Sequence, residues 1–153
     1  MTEVLVTVVI LSIGLLGIAG LQATALRNNH SAYLRTQATL LSYDIADRMR
    51  ANMSAVNGGS YNTPAAASVA SCSTVAGCSS DQMAQNDAWQ WRQEVASLLP
   101  KGVGIVCLDS SPDDGTGVAA PACSGGGSIY VIKIWWDDDR SGNLKRFVMS
   151  FQP

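Results

Sequence analysis

The chain has 153 residues, with 10 Lys or Arg against 12 Asp or Glu, so its formal net charge is −2 at pH 7. This nearly balanced charge argues against a nucleic-acid partner, because a domain that binds nucleic acid normally carries a basic face. Beyond an apolar start of 26 residues, the remaining length is that of one ordinary domain.

The apolar start is a run of 23 residues without formal charge, Val4 to Leu26, between Glu3 and Arg27. As a helix that rises ~1.5 Å per residue it would be about 35 Å long, enough to cross a hydrocarbon core of ~30 Å. A cleaved signal peptide has a shorter apolar core and a basic start, whereas an acid precedes this segment. We therefore predict a transmembrane segment over residues 1–26 and a globular domain over residues 27–153.

The helix is predicted to continue beyond the apolar run to about Met53, for roughly fifty residues in all, and Asn57-Gly58-Gly59 is expected to end it. Asp44 and Arg48 lie four residues apart on this helix and are expected to form a solvated surface pair. One apolar stripe should face a globular domain, and it comprises Leu34, Ala38, Leu41, Ile45 and Met49.

A second helix is predicted from Asp81 to Leu99, because Pro100 stops it and apolar residues recur at helical spacing. Trp89 and Trp91 point to different faces of this helix, so at least one should lie in the core. The segment before it, up to Ser80, is rich in small polar residues and predicts either a surface loop or a linker between domains. The apolar positions of the helix are Ala84, Ala88, Trp91, Val95 and Leu98.

Three strands are predicted after the second helix, over Gly102 to Asp109, Ser128 to Trp136 and Lys145 to Gln152. An acidic hairpin connection joins the last two. The second strand should be central, since one of its faces is wholly apolar. The pattern predicts an α+β domain in which an antiparallel sheet covers the amphipathic half of the long helix.

The four cysteines all lie beyond the apolar run and predict two disulfides in an oxidising compartment, outside the cytoplasm. Three pairings are possible, and the sequence favours Cys72 with Cys78 and Cys107 with Cys123. A metal site is disfavoured, because there is no paired C-x-x-C and the single His30 is far away in sequence.

Other candidate chemistry is sparse, and we expect neither an enzyme nor a cofactor. His30 has no Cys nearby and is expected to be a surface or packing histidine. The turn after the second strand, with Asp137, Asp139 and Gly142, imitates the start of a calcium loop. The closing Glu is missing because Val148 stands at the twelfth position, so an ordinary acidic turn is favoured.

Several segments carry a resemblance to a known family. Thr2 to Val6 and Val9 to Gln22 resemble the mature N-terminus of a type IV pilin. Asp47 to Asn52, Trp91 to Gly102 and Trp136-Asp137 are similar to the PilV group of minor pilins. The resemblance implies the type IV pilin fold, with one long N-terminal helix, half of it transmembrane, packed against an antiparallel sheet, and a second short helix.

Glu3 matches the glutamate near the start of mature pilins, and by resemblance it would pair with the N-terminal amine of a neighbouring subunit. A charged acid facing lipid costs about 2.5–3.5 kcal/mol, so such a pairing would favour transfer of the helix from the bilayer into a filament. The chain would then start two residues inside the mature, N-methylated form, without its leader. Gly14, Gly17 and Gly20 are expected to allow close helix packing.

The resemblance implies a minor pilin that helps to prime type IV pilus assembly and joins the filament at or near its tip, with roles in twitching motility and cell adhesion. Its partners would be other minor pilins, the major pilin, a tip adhesin, inner-membrane lipid and the inner-membrane assembly machinery. It would cross the inner membrane once, with its domain in the periplasm, before moving to the pilus.

Two alternative functions stay open. The first is a minor pseudopilin of type II secretion, which would share the anchor and the fold. The second is a membrane-tethered binding module or adhesin that acts through Trp89, Trp136 and the long loops.

Overall fold

The computed structural model describes residues 1–152, so Pro153, the last residue of the predicted globular domain, lies outside the described part. Two compact units are present, residues 1–33 and the residues from Leu34 onward. The helices are α1 (Thr2–Ala51), α2 (Met53–Asn57) and α3 (Ser80–Leu98), with a 3-10 turn at Ala70–Ser73. The strands are β1 (Val103–Leu108), β2 (Tyr130–Asp137) and β3 (Leu144–Phe151).

The first unit is the N-terminal part of α1, and its apolar side chains are exposed. Three hydroxyl groups of its apolar run are satisfied within the helix: Thr7 donates to the carbonyl of Val4 at 2.8 Å, Ser12 to that of Val8 at 2.7 Å and Thr24 to that of Gly20 at 3.1 Å. Internal satisfaction of polar groups is what a lipid environment demands. By length and composition α1 can cross a membrane, which is compatible with a single-pass anchor.

The core of the second unit begins with the predicted apolar stripe of α1, which is confirmed. All five stripe residues are buried, and they pack with residues of α3 and β2 in one cluster. Ser42 lies among them without solvent contact and donates its hydroxyl to the Ala38 carbonyl at 2.9 Å. The stripe thus fixes which face of α1 the globular unit covers.

The end of the long helix differs from the prediction. Helix α1 stops at Ala51, and Asn52 adopts non-helical angles (φ −123°, ψ 54°) before the short helix α2. The Asn52 amide donates to the Ser80 carbonyl at 2.9 Å, so its side chain ties this break to the start of α3. Helical structure then ends before Gly58.

Helix α3 starts with a capping box, in which Ser79 accepts from the Gln82 amide and the Gln82 side chain accepts from the Ser79 amide. Such reciprocal bonds satisfy two donors at a helix start. Four of its five predicted apolar positions are buried, but Leu98 is exposed and Leu99, just after the helix, is buried instead. The prediction for Leu98 was wrong because the chain leaves helical geometry at Leu99.

The sheet is antiparallel, with the order β1-β2-β3, so the prediction that the second strand is central is confirmed. One face of β2, formed by alternate residues, packs in the core cluster: Tyr130, Ile132, Ile134 and Trp136. The opposite face, formed by Val131, Lys133 and Trp135, is buried as well. The α+β pilin-like fold is therefore the one that the sequence predicts.

Candidate functional site

The first candidate site lies at the start of α1. Glu3 stands in the first helical turn and is exposed. Within residues 1–152 its carboxylate makes no hydrogen bond or ion pair. The positive end of the helix dipole favours an acid at this place, and the carboxylate is free to meet a cation of another molecule.

The glycines of the apolar helix form the second candidate feature. A methyl group added at Gly14, Gly17 or Gly20 would meet no atom within 4 Å. These three positions therefore pack against nothing among the described residues of the chain. Their role in contacts with other helices stays a prediction.

Two disulfides staple the globular unit. Of the three possible pairings the structure has Cys72–Cys78, with 4.8 Å between Cα atoms, and Cys107–Cys123, with 6.1 Å. The first closes a short ring that begins within the 3-10 turn. The second ties the end of β1 to the long loop between β1 and β2, and Cys107 is fully buried.

The long loop is also held by a buried lysine of the central strand. Lys133 of β2 has no solvent exposure, and its ammonium donates to Asp109 Oδ2 and Asp114 Oδ1, each at 2.6 Å. It also donates to the Pro121 carbonyl at 2.8 Å. This ammonium therefore fastens the start and the middle of the loop to the outer face of the sheet.

The electrostatics of this cluster follow from the lysine. Burial alone would raise the pKa of Asp109, but hydrogen bonds from Lys133 and from the Ser111 amide outweigh burial and lower that pKa. The pKa of Asp114 is also lowered, chiefly by its hydrogen bond with Lys133. Both carboxylates are thus held in their charged form, as a buried ammonium requires.

Arg48 connects α1 to α3 and is not the solvated decoration expected from sequence. Its Nε donates to Asp44 at 3.0 Å, which is the predicted pair, but its other nitrogens donate to Gln90 at 2.8 Å and Glu94 at 3.1 Å. Asp87 lies 3.9 Å from the same guanidinium. The signal missed was the run of polar residues on the α1-facing side of the second helix.

Tyr61 was also missed, because it lies in a segment whose composition predicts a loose surface loop. Its ring is fully buried, and its hydroxyl donates to the carboxylate of Asp87. Burial, with the hydrogen bond to Asp87 as a second cause, raises the pKa of this phenol above its usual value. The loop is therefore anchored to the core at its start.

The aromatic residues named for the adhesin alternative lie in different environments. Trp89 is partly exposed, whereas Trp136 is buried in the core cluster and donates to Asp138 at 3.3 Å. Trp91 is fully buried and donates to the Leu41 carbonyl at 2.8 Å, which confirms that one of the α3 tryptophans is a core residue.

The residues considered for metal or acid–base chemistry are placed as follows. His30 is exposed on α1. The Asp137 carboxylate accepts from Lys101 Nζ at 2.8 Å and from the Gly142 amide at 3.2 Å, and Lys101 is the main cause that lowers its pKa. In residues 1–152, no three His, Cys, Asp or Glu side chains are grouped so that they could hold a metal ion.

These elements define the class of protein: a long apolar N-terminal helix followed by a small α+β unit with a three-stranded antiparallel sheet is a type IV pilin-like fold. Residues 20–89, just under half of the chain, match the model of the Tt1218-like family, described as Type IV pilin Tt1218. This match is consistent with a type IV pilin-like protein and confirms the resemblance at this level, while the PilV subgroup stays a prediction. No curated protein and no solved structure matches the chain.

Proposed function

We propose that this protein is a non-enzymatic minor pilin that helps to prime type IV pilus assembly and is incorporated at or near the filament tip. The match of residues 20–89 to a type IV pilin family carries this proposal. That segment contains the amphipathic half of α1, which buries its stripe in the globular unit. A pilin is a structural subunit, so its function lies in the surfaces it offers to other subunits.

The proposal gives each part of the chain a task. The segment up to residue 26 holds the protein in the inner membrane before assembly, with residues 27–153 as the periplasmic domain. Glu3 pairs with the amine of a neighbouring subunit, and Gly14, Gly17 and Gly20 allow its helix to approach closely. The disulfide-stapled unit recognises other minor pilins, the major pilin and a tip adhesin.

The physical case for Glu3 is its lack of a partner within residues 1–152 together with its place beside an uncharged run of 23 residues. A carboxylate beside lipid is unfavourable, and an opposite charge within ~4 Å makes it less so. A growing filament offers such a charge in the amine of the adjacent subunit. Assembly would then draw part of its driving force from this residue.

The decisive experiment is deletion of the gene, with surface pili and type II substrate export scored in the same cells. Loss of pili with intact export is the expected result, and a plasmid copy of the wild-type gene should restore them. Intact pili with failed export would instead assign the protein to type II secretion as a minor pseudopilin. If pili and export are both intact, the priming role is wrong.

A further inference from the structure

The outer strand of the sheet, β3, has an unpaired backbone edge. On β1 the corresponding edge is covered, because the Thr63 amide donates to the Val106 carbonyl and the Leu108 amide donates to the Asn62 side chain. Backbone groups alternate in direction along an antiparallel strand. The backbone amides and carbonyls of the even-numbered residues of β1 thus point away from β2. By the register of the sheet, those of the even-numbered residues of β3 point away from β2 as well.

The outward amides and carbonyls of β3 belong to Leu144, Arg146, Val148 and Ser150. Across the described residues, none of these backbone groups has a hydrogen-bond partner. The pairing of β3 with β2 is continuous over Leu144–Phe151, without a bulge or a proline. Proteins usually protect a long edge with such devices or with charged side chains, because a row of free backbone groups is a template for another strand. The charges on this strand are those of Lys145 and Arg146, so a strand that joins the edge has to match them.

Two cavities border this edge along its length. One of about 500 Å³ is lined by Trp135, Leu144 and Arg146, among others. The other, of about 370 Å³, is lined by Arg35, Arg146 and Val148, among others. Because Arg146 lines both cavities, open space borders most of the free backbone groups of the strand.

The first cavity also holds an unsatisfied donor. Trp135 is buried, and its indole nitrogen Nε1 has no hydrogen-bond partner in the part of the chain that the structure describes. Trp135 lies opposite Arg146 in the sheet register. Buried donors are nearly always paired, so an acceptor brought by a ligand would complete this site.

The charge around the edge selects the kind of ligand. Arg35 and Arg146 line the cavities and Lys145 is exposed on the strand. Arg146 is already ion-paired with Asp113 at 2.8 Å and donates to the Gly115 carbonyl, so Arg35 and Lys145 carry the positive charge available to a ligand. Half-buried Phe147 and Met149 offer apolar contact on the core side of the strand. An extended segment that carries both apolar residues and acids would complement both features.

We propose that the free edge of β3 binds an extended acidic segment of another protein, which joins the sheet as a fourth strand. Its backbone pairs with Leu144, Arg146, Val148 and Ser150, and its acids face Arg35 and Lys145. This binding is a property of the chain itself and does not depend on the proposed role in pilus assembly.

The test uses the full chain in a mild detergent with two sets of eight-residue peptides, in which valine alternates with glutamate or with lysine. Hydrogen exchange is followed residue by residue by NMR. The glutamate set should bind and slow exchange at Arg146 and Val148, whereas the amides of Lys145 and Phe147, already paired with β2, should not change. Equal binding of the lysine set, or no binding of the glutamate set, overturns the inference.

Two variants make the test specific to the edge. Val148→Pro removes an outward amide without removing a bond to β2 and should weaken glutamate-peptide binding at least tenfold, while Val148→Thr keeps the amide and should bind as the wild type does. Arg35→Glu reverses a charge at an exposed position and should also weaken binding of the glutamate peptides. Its control Arg35→Lys keeps the charge and should bind them as the wild type does. Unchanged binding in Val148→Pro, or pairing of two copies of the chain through β3, contradicts the inference.

Discussion

Lys133 is an example of a residue whose structural effect depends on atoms distant in sequence. It occupies a central strand position that normally takes an apolar side chain, and yet it is fully buried. Its ammonium is compensated by the carboxylates of Asp109 and Asp114, both in the loop that follows β1. Removing one partner of a buried ion pair is costly, because the other charge then lacks compensation.

We expect Lys133→Met to lower the free energy of unfolding by about 3–5 kcal/mol, because Asp109 would stay buried without a cation. Urea unfolding of the chain in a mild detergent, followed by tryptophan fluorescence, measures the loss. The double variant Lys133→Met with Asp109→Asn removes both charges and should recover part of that stability. A single variant as stable as the wild type would show that the buried pair contributes nothing.

At the scale of elements, contacts between helices depend on polar groups as well as on the apolar stripe. The guanidinium of Arg48 donates both to Asp44 of α1 and to Glu94 of α3. Its planar fork can bind several acceptors at once, which a lysine cannot do. The apolar stripe holds α1 against the globular unit without directional bonds. The hydrogen bonds of Arg48 thus fix the orientation of α1 relative to α3.

The variant Arg48→Met should lower the free energy of unfolding by about 1.5–3 kcal/mol, as is usual for a charged hydrogen bond that leaves a half-buried acceptor unpaired. The control Asp47→Asn removes an ion pair with Arg50 in which both side chains are mostly exposed, and it should cost less than about 1 kcal/mol. Urea unfolding midpoints of the two variants give the comparison. Equal losses would mean that Arg48 behaves as a surface residue.

The elements themselves could be predicted where a residue's environment is set by nearby sequence. The stripe of α1 and the apolar face of β2 follow from spacing, and the structure buries them both. The partners of Arg48 could not be predicted, since Gln90 and Glu94 lie 42 and 46 residues away. The burial of Tyr61 could not be predicted for a related reason. Its acceptor Asp87 is 26 residues distant, and its own segment has the composition of a loop.

For the whole molecule, the depressed carboxylate pKa values imply acid sensitivity. The pKa values of Asp109, Asp114 and Asp137 are lowered in the folded chain, while the unfolded chain titrates near the usual value of about 3.9. Between the folded and unfolded pKa values the unfolded chain binds more protons. Stability therefore rises with pH in this range and is lost as the pH falls through the folded values.

We expect the urea midpoint of the chain to be constant from pH 5 to pH 7 and to fall below about pH 4. The variant Lys101→Met removes the cation that chiefly lowers the pKa of Asp137, so its midpoint should depend less on pH over the acid range. Lys145→Met, at an exposed residue of β3, is the comparison: Lys145 is only a minor cause of the lowered pKa of Asp139, so this variant should change the acid dependence less than Lys101→Met does. An acid dependence in Lys101→Met identical to that of the wild type would show that this ion pair does not contribute to it.

The anchor and the globular unit impose opposite requirements on Glu3. Membrane insertion disfavours its charge, whereas assembly, as proposed here, uses that charge to select the amine of a neighbouring subunit. The two requirements can be separated by changing the charge without changing the size of the side chain. Glu3→Gln does this, and Glu3→Asp keeps the charge on a shorter side chain.

Glu3→Gln should insert into the inner membrane at least as well as the wild type, because it removes a charge from the edge of the apolar run. It should nevertheless fail to restore surface pili in a deletion strain, while Glu3→Asp should restore them in part. Membrane fractionation measures insertion, and electron microscopy of sheared pili measures assembly. Normal piliation with Glu3→Gln would refute the pairing role of this carboxylate, and failed insertion would move its function from the filament to the membrane.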